Sequence, residues 1–473
     1  MLLTQAFKLT FTQSEVDFVI PRLDQDLPLC IDPFLLYKSR DETLRRLHGQ
    51  LITLFNNSVV LFREGKRTEM DKIIDFPEVN EIGFGYSEDG VRGSGLGSYL
   101  NKLLADTLAA SEPLQERGLR HIEELQLVSV GIAADRVSDI AANVLKSFLI
   151  EYTQKQADLW GIPIDSSLPV NHYFDFEEYA WRDGYFELPK NRITGLPILL
   201  VPRRMVRLLP WINLDDYAAS DFRLFLRSTA KSNWSKFAGG TQTKRFTPDK
   251  ADIVKTTRSN LKLLDDYVNR KEKDAHNALP VFVEREDLGL PTRPMAEEFI
   301  QRLSTMPTGI AQAKDYQRTV YEIINYLFEP ELTDGEMEVR TIEGTERRDI
   351  IYTNESDTSF WQYVRLNYGS PLVMFEIKNV EELEFEHINQ AVSYLGARLG
   401  MLGLIVTRNS PSENVVRKTY AIYNDTPSTP RKTILVLVDA DLAVMLRNKD
   451  SGQTPTPTQY VQRRYREFRT RVQ

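Results

Sequence analysis

The run Leu372-Val373-Met374-Phe375, closed by Glu376-Ile377-Lys378, constrains this chain more than any other stretch. A short apolar run of this kind reads as a β-strand. Successive strand side chains point to opposite faces, so Glu376 and Lys378 share one face, with Val373, Phe375 and Ile377 on the other. A carboxylate and an ammonium at the end of an apolar strand are costly unless paired or used. Upstream, Asp349 sits at the end of a second strand-like stretch, Arg348 to Thr353. Together these groups can hold a divalent metal beside a base-like amine, the minimal equipment for phosphodiester chemistry.

The rest of the chain narrows the setting. Its 473 residues suggest two or three domains. No apolar run approaches the length of a membrane span, so no membrane partner is expected. The opening MLLTQAFKLTFTQ alternates like a strand and lacks the charged and apolar regions of a signal peptide. Cys30 is the only cysteine, which excludes an internal disulfide, fits a reducing cytoplasm and, with five histidines, argues against a Cys/His zinc site. A net charge of −8 argues against a general nucleic-acid coat protein. It does not exclude a nuclease, because local patches and a metal decide phosphate binding.

Hydrophobic spacing divides the chain into four parts. Residues 1–235 read as an α+β region, with strands at Phe7 to Phe11, Val16 to Ile20 and Pro197 to Val201. Its helices carry Leu44, Leu47, Leu51, Leu54 and Phe55, then Leu100, Leu103, Leu104 and Leu108, then Val137, Ile140, Val144 and Phe148. Gly90, Gly93, Gly95 and Gly97 form a loop without the GK[ST] of a phosphate cradle. Asp135 and Asp139 share a helix face; a second metal site there is the weaker reading. Residues 236–310 read as a helical connector with a stripe of Ile253, Leu261, Leu264 and Val268, a polar run Asn269 to Asp274, and a role in a homo-oligomer interface. Residues 311–450 read as an α/β layer: helix Lys314 to Phe328, strands Met337 to Thr341, Arg348 to Thr353 and 371–378, helix Glu386 to Leu399, strands Leu402 to Thr407 and Thr433 to Val438, and a helix from Asp439. Residues 451–473 read as a linker and a basic amphipathic tail.

Arg348-Asp349-Ile350-Ile351, Phe375-Glu376-Ile377-Lys378-Asn379 and Gln390-Ala391-Val392-Ser393-Tyr394 resemble the motifs of the PD-(D/E)XK nuclease superfamily, in particular its Mrr-like restriction-endonuclease branch. The resemblance covers 311–450. It implies a restriction-endonuclease-like mixed sheet with flanking helices, whose strand ends carry the catalytic residues Asp349, Glu376 and Lys378. Asp349 and Glu376 are the metal ligands, with the Ile377 carbonyl as a further oxygen donor, and Mg²⁺ or Mn²⁺ suits them. Gln390 and Tyr394, four apart on one helix face, border the site. Family members carry a Glu on the preceding helix; here Glu322 points away from the expected direction and Gln317 has the better phase.

The activity implied is a divalent-metal-dependent endonuclease acting on nucleic acid, DNA foremost, in a prokaryotic restriction or anti-phage setting. The region 1–235 is then a sensory or regulatory module reading a protein or small-molecule trigger, or a partner-binding or oligomerisation module. A degenerate nuclease fold that only binds nucleic acid or a partner protein is the alternative. Arg348, Arg398, Arg463 and Arg464 are the leading phosphate contacts, with Arg347, Arg408, Arg417 and Lys418 in the same domain. The tail arginines, interleaved with Tyr465 and Phe468, fit stacking on nucleic acid as well as simple packing of a terminal helix.

Overall fold

In the computed structural model the described residues are 1–473 except 14, 86–95, 235–247, 278–293, 330, 341–346, 355, 357–358, 370, 398, 428 and 473. The chain is mixed α/β and divides into two compact units. One comprises Met1–Thr10 and Phe18–Ala278, the other Phe11–Asp17 and Leu279–Gln473. None of the described helices is long and apolar enough to cross a membrane.

The first unit is built on two long helices, α1 (Glu42–Arg63) and α2 (Ala134–Trp160). Asp41 caps α1 by accepting from Thr43 N at 2.7 Å, and the helix buries Leu44, Leu47, Leu51, Leu54 and Phe55 as their spacing predicts. A hairpin follows, β1 (Asp165–Asp175) and β2 (Ala180–Leu188), which the sequence reading did not anticipate. Pro169 and two register shifts interrupt its alternation. Where a strand was expected at Phe7 to Phe11, the chain instead forms a short helix, Leu3–Phe7, burying Leu3 and Ala6 at a helical interval. Pro197 to Val201 is buried but forms no ladder. The amides of Ile198, Leu199 and Leu200 go to Pro189 O, Glu81 O and Thr153 Oγ1, three different elements. Of the glycine cluster, Gly90, Gly93 and Gly95 lie outside the described residues.

Two helices expected in a connector, α3 (Lys250–Ser259) and α4 (Leu261–Asn277), cluster with this unit. The run read as fully polar is not a solvated face. Lys271 is buried, donates to Asp216 Oδ2 at 3.1 Å and lies 4.0 Å over the Trp211 ring. Glu272 accepts from Arg120 at 2.5 Å and pairs with His121 at 2.9 Å, while Arg117 reaches Asp265 at 2.7 Å. Charge pairing, not an apolar stripe alone, fastens α4.

The second unit begins with α5 (Ala296–Thr305) and α6 (Ala313–Phe328). Five strands follow: β3 (Leu332–Arg340), β4 (Arg347–Asn354), β5 (Leu372–Lys378), β6 (Leu402–Thr407) and β7 (Thr433–Val438), hydrogen-bonded in that order. The β3–β4 and β4–β5 pairs are antiparallel; β5–β6 and β6–β7 are parallel. The sheet is therefore mixed. Helix α7 (Ser359–Tyr368) connects β4 to β5, α8 (Phe385–Tyr394) connects β5 to β6, and α9 (Glu413–Asp425) connects β6 to β7. Helices α10 (Asp439–Ser451) and α11 (Pro457–Arg469) complete the unit.

The two faces of β5 behave as its alternation predicts. Met374 packs with Ile388, Ala391 and Leu395 from the α8 side. Phe375 meets Tyr352 edge-on at 5.7 Å and lies 6.4 Å from Phe328 of α6. In that same layer, Gly335 in β3 is hemmed in by the Tyr352 and Tyr321 rings; a Cβ there would lie 2.6 and 2.8 Å from ring carbons. Gly335→Ala is expected to lower stability by about 1–3 kcal/mol through overpacking, read as a drop in thermal melting temperature. An unchanged melt would show that the two tyrosines move freely.

The tail helix packs rather than projects. Thr456 caps it, accepting from Gln459 N at 3.3 Å, with Pro457 in its first turn. Tyr460, Val461, Tyr465 and Phe468 are buried. Tyr465 meets the hydroxyls of Tyr363 and Tyr368, and Phe468 packs on Tyr420 and Tyr423.

Candidate active site

Antiparallel pairing of β4 with β5 sets Ile350 opposite Phe375. One further step of that register places Asp349 across from Glu376, on the same face. The carboxylate of Asp349 is held on both oxygens: Ile377 N donates to Oδ2 at 2.8 Å, and Gln317 Nε2 donates to Oδ1 at 3.3 Å and to the Asp349 carbonyl at 3.2 Å. Lys378, two residues after Glu376, donates to Glu376 Oε1 at 2.7 Å and to Gln390 Oε1 at 3.0 Å. Gln390 in turn donates to the Tyr394 hydroxyl at 2.8 Å. Asp349, Glu376, Lys378, Gln317, Gln390 and Tyr394 thus form one connected group drawn from α6, β4, β5 and α8.

Glu376 is the electrostatically strained member. It is fully buried, and its Oε2 has no hydrogen-bond partner. Burial, then the nearby Asp349 carboxylate, push its carboxyl up to about 7, against the opposing pull of Lys378. Loss of solvation is the larger cause and the neighbouring carboxylate the second, and the Lys378 ammonium offsets them only in part. Among the described residues no group of three or more His, Cys, Asp or Glu side chains is placed to hold a metal. The oxygen donors here are the two carboxylates and main-chain carbonyls, a sparse set of the kind that suits an ion retaining several waters.

Helix α6 separates its two candidates. Gln317 reaches Asp349, whereas Glu322 is buried on another side of the helix, accepting from Arg302 Nη1 at 2.6 Å and Arg318 Nε at 3.4 Å. Glu322 is buried despite its phase because α5 packs there and brings Arg302.

The arginines fare differently. Arg398 and the side chain of Arg348 lie outside the described residues. Arg464 donates to Val436 O at 3.4 Å, and Arg463 pairs with Glu467 at 3.6 Å and stacks on Tyr460. Arg417 is exposed beside Glu413. Arg408, counted among the phosphate contacts, is mostly buried. It pairs with Asp439 at 3.0 Å, lies over Tyr316 and donates to the carbonyls of Leu303 and Met306, both at 2.8 Å. Asn379, immediately after Lys378, has a structural part to play. Its Nδ2 donates to Pro307 O at 3.1 Å and Gly309 O at 2.9 Å, and its carbonyl accepts from Gly309 N at 2.8 Å. Arg408 and Asn379 together fasten the segment between α5 and α6 beside the site.

In the first unit, Asp139 is raised to about 7 by burial and then by Asp135 and Glu78, with Arg136 and a backbone hydrogen bond at Val79 opposing. Asp32 and Glu123 form a fully buried pair, both receiving Phe34 N, at 3.2 and 2.7 Å. Burial and then Asp32 hold the Glu123 carboxyl far above its ordinary range, so the pair retains a proton.

Comparison with known proteins leaves the candidate site without a matched family. No solved structure matches the chain. A protein of Escherichia coli (strain K12) described as "Putative transposon gamma-delta 80.3 kDa protein" is 33% identical over 107 residues, covering 23% of this chain and 15% of that protein. The chain therefore spans only a small part of that relative's length. Residues 8–213 match a family model described as a domain of unknown function, DUF8370; the match ends before β4 and takes in less than half of the chain.

Proposed function

We propose that the second unit is a divalent-metal-dependent endonuclease of the PD-(D/E)XK type, Mrr-like, hydrolysing phosphodiester bonds of DNA, and that the first unit regulates or targets it. The observation that carries this reading is the unpartnered, fully buried Oε2 of Glu376 beside Asp349 and Lys378. A buried carboxylate oxygen without a donor is costly, and a cation between the two carboxylates removes that cost. Mg²⁺ or Mn²⁺ would be held by Asp349, Glu376 and the Ile377 carbonyl, supplying Lewis acidity to a phosphate oxygen and a more acidic bound water.

The chain's own residues do the rest. Ile377 N and Gln317 fix the direction of the Asp349 carboxylate. Gln390 and Glu376 hold the Lys378 ammonium, so its remaining proton is free to orient a water or a phosphate oxygen. Tyr394 steadies Gln390 from behind. A cytoplasmic restriction or anti-phage effector acting on nucleic acid, with a trigger read by the first unit, is the setting this chemistry supports. Gln317 in place of the family's acidic residue favours a second reading, a degenerate fold that binds without cutting.

Purified protein incubated with plasmid, single-stranded DNA and RNA, in Mg²⁺, Mn²⁺ or EDTA, separates the two. Metal-dependent cutting that Lys378→Ala lowers by two or more orders of magnitude supports the nuclease. Retained binding with no cutting in any metal supports the degenerate fold.

A further inference from the structure

The segment fastened by Arg408 and Asn379 carries Ile310 at its tip, in a single 3₁₀ turn, Ile310–Gln312, that leads into α6. Ile310 is 96% exposed, the most exposed large hydrophobic side chain among the described residues. Isolated exposed apolar residues are common on protein surfaces. What distinguishes this one is its mounting. Four hydrogen bonds, two from the mostly buried Arg408 and two from the buried Asn379, hold the carbonyls of Leu303, Met306, Pro307 and Gly309. Gly309 adopts φ +115°, a conformation open to glycine, and the chain turns there to present Ile310. Buried polar groups are being used to hold an apolar side chain in water at a fixed place.

That place adjoins the site from two directions. Asn379 directly follows Lys378, and the turn continues into the helix whose Gln317 holds Asp349. Apolar and charged side chains of both signs border the turn. Pro307 and Ala311 are exposed with Ile310, and Lys314 is exposed one turn further on. A cleft of about 400 Å³ between α5 and α6 is lined by Asp315 and by Arg302 and Arg318, both of which pair with Glu322. On the nuclease reading of the adjoining site, the apolar surface that Ile310 can meet is the face of a base. Apolar wedges of this kind, isoleucine included, part base steps in other nucleic-acid complexes.

We propose that Ile310 is a positioning residue that inserts against the bases next to the scissile phosphate, opening one base step so that the backbone reaches Glu376 and Lys378. The proposal rests on the nuclease reading of that site. It names double-stranded nucleic acid as the substrate class, since pairing holds a duplex step closed, whereas a single strand opens its steps without a wedge.

The experiment uses the full chain with Glu376→Gln to prevent cutting, and duplexes carrying 2-aminopurine at successive positions. Ile310 intact should raise 2-aminopurine fluorescence at one step on binding. Ile310→Ala should abolish that rise and weaken binding about tenfold, with an unchanged thermal melt. In the cutting-competent background the same substitution should raise KM more for duplex than for single strands. Equal fluorescence and affinity with and without Ile310, in a protein whose Glu376 form cuts DNA, overturns the wedge and leaves the nuclease standing. A protein that neither binds nor cuts any nucleic acid overturns both.

Discussion

Glu376→Gln should abolish phosphodiester cleavage and, in the same protein, raise the stability of the metal-free fold. The first effect follows from removing a ligand and a partner of Lys378, and two or more orders of magnitude in rate are expected. The second follows from the carboxyl's raised pKa. Its folded value is about 7, against an ordinary 4.5. Below pH 4.5 the group is protonated in folded and unfolded chains alike and contributes no difference. Between 4.5 and 7 the unfolded chain releases the proton while the folded chain keeps it, so wild-type stability falls as pH rises. By pH 8 the accumulated loss is roughly 3 kcal/mol. A glutamine carries none of it: its carbonyl can still accept from Lys378, and its amide places an N–H where Oε2 stood without a partner. In EDTA the variant should therefore melt above the wild type at pH 8, and the two curves should converge near pH 4. Added Mg²⁺ should raise the wild-type melt at pH 8 and leave the variant nearly unmoved. A variant less stable than wild type at pH 8 would mean that Lys378 alone satisfies Glu376 as an anion, with no need of a metal.

Arg408→Met should destabilise the second unit by about 3 kcal/mol or more, the cost of leaving a partly buried ion without its partner. Asp439 would keep only the Tyr316 hydroxyl, at 2.8 Å, and burial already pushes its carboxyl upward. The carbonyls of Leu303 and Met306 would lose the guanidinium as a donor as well, Leu303 O keeping only the longer bond from Met306 N. Arg408→Lys retains the charge but not the planar spread of donors, and should recover only part of the loss. Because a protonated Asp439 needs no cation, the deficit of Arg408→Met should shrink as pH is lowered. Urea titrations at pH 8 and pH 5 read both points; an equal deficit at the two pH values would remove Asp439 from the explanation.

Much of the second unit was legible in the sequence because its signals are local. Strands β6 and β7 were placed at their observed limits, and the two-residue period of β5 gave both the pairing of Glu376 with Lys378 and the opposite face of Phe375. The phase of α6 correctly directed Gln317, not Glu322, toward Asp349. Helix α8 was read too long because Leu395 and Leu399 are buried at helical intervals, yet the chain leaves the helix after Tyr394 and Gly396 bridges to Gly400. What stayed illegible depends on partners distant in sequence. Arg408 looks like a free cation until Asp439 and the carbonyls of 303–306 surround it. Lys271 looks solvated until Asp216 and Trp211 enclose it. The hairpin of β1 and β2 escaped notice because a strand pair with exposed residues on both faces leaves a weak apolar pattern.

The β4–β5 ladder carries a consequence for how such a site can vary. Asp349 and Glu376 meet through an antiparallel register, not through any fixed interval along the chain. Residues inserted or removed between Asn354 and Leu372, where the chain leaves one strand and enters the other, change the separation of the two acids in sequence and leave them facing each other. A single residue gained or lost within either strand, between Asp349 and Thr353 or between Leu372 and Glu376, reverses the parity and turns one carboxylate to the opposite side of the sheet. The quantity under constraint is therefore odd or even, not long or short. Relatives with very different spacing between these two acids can share the site, while a neighbour differing by one strand residue cannot.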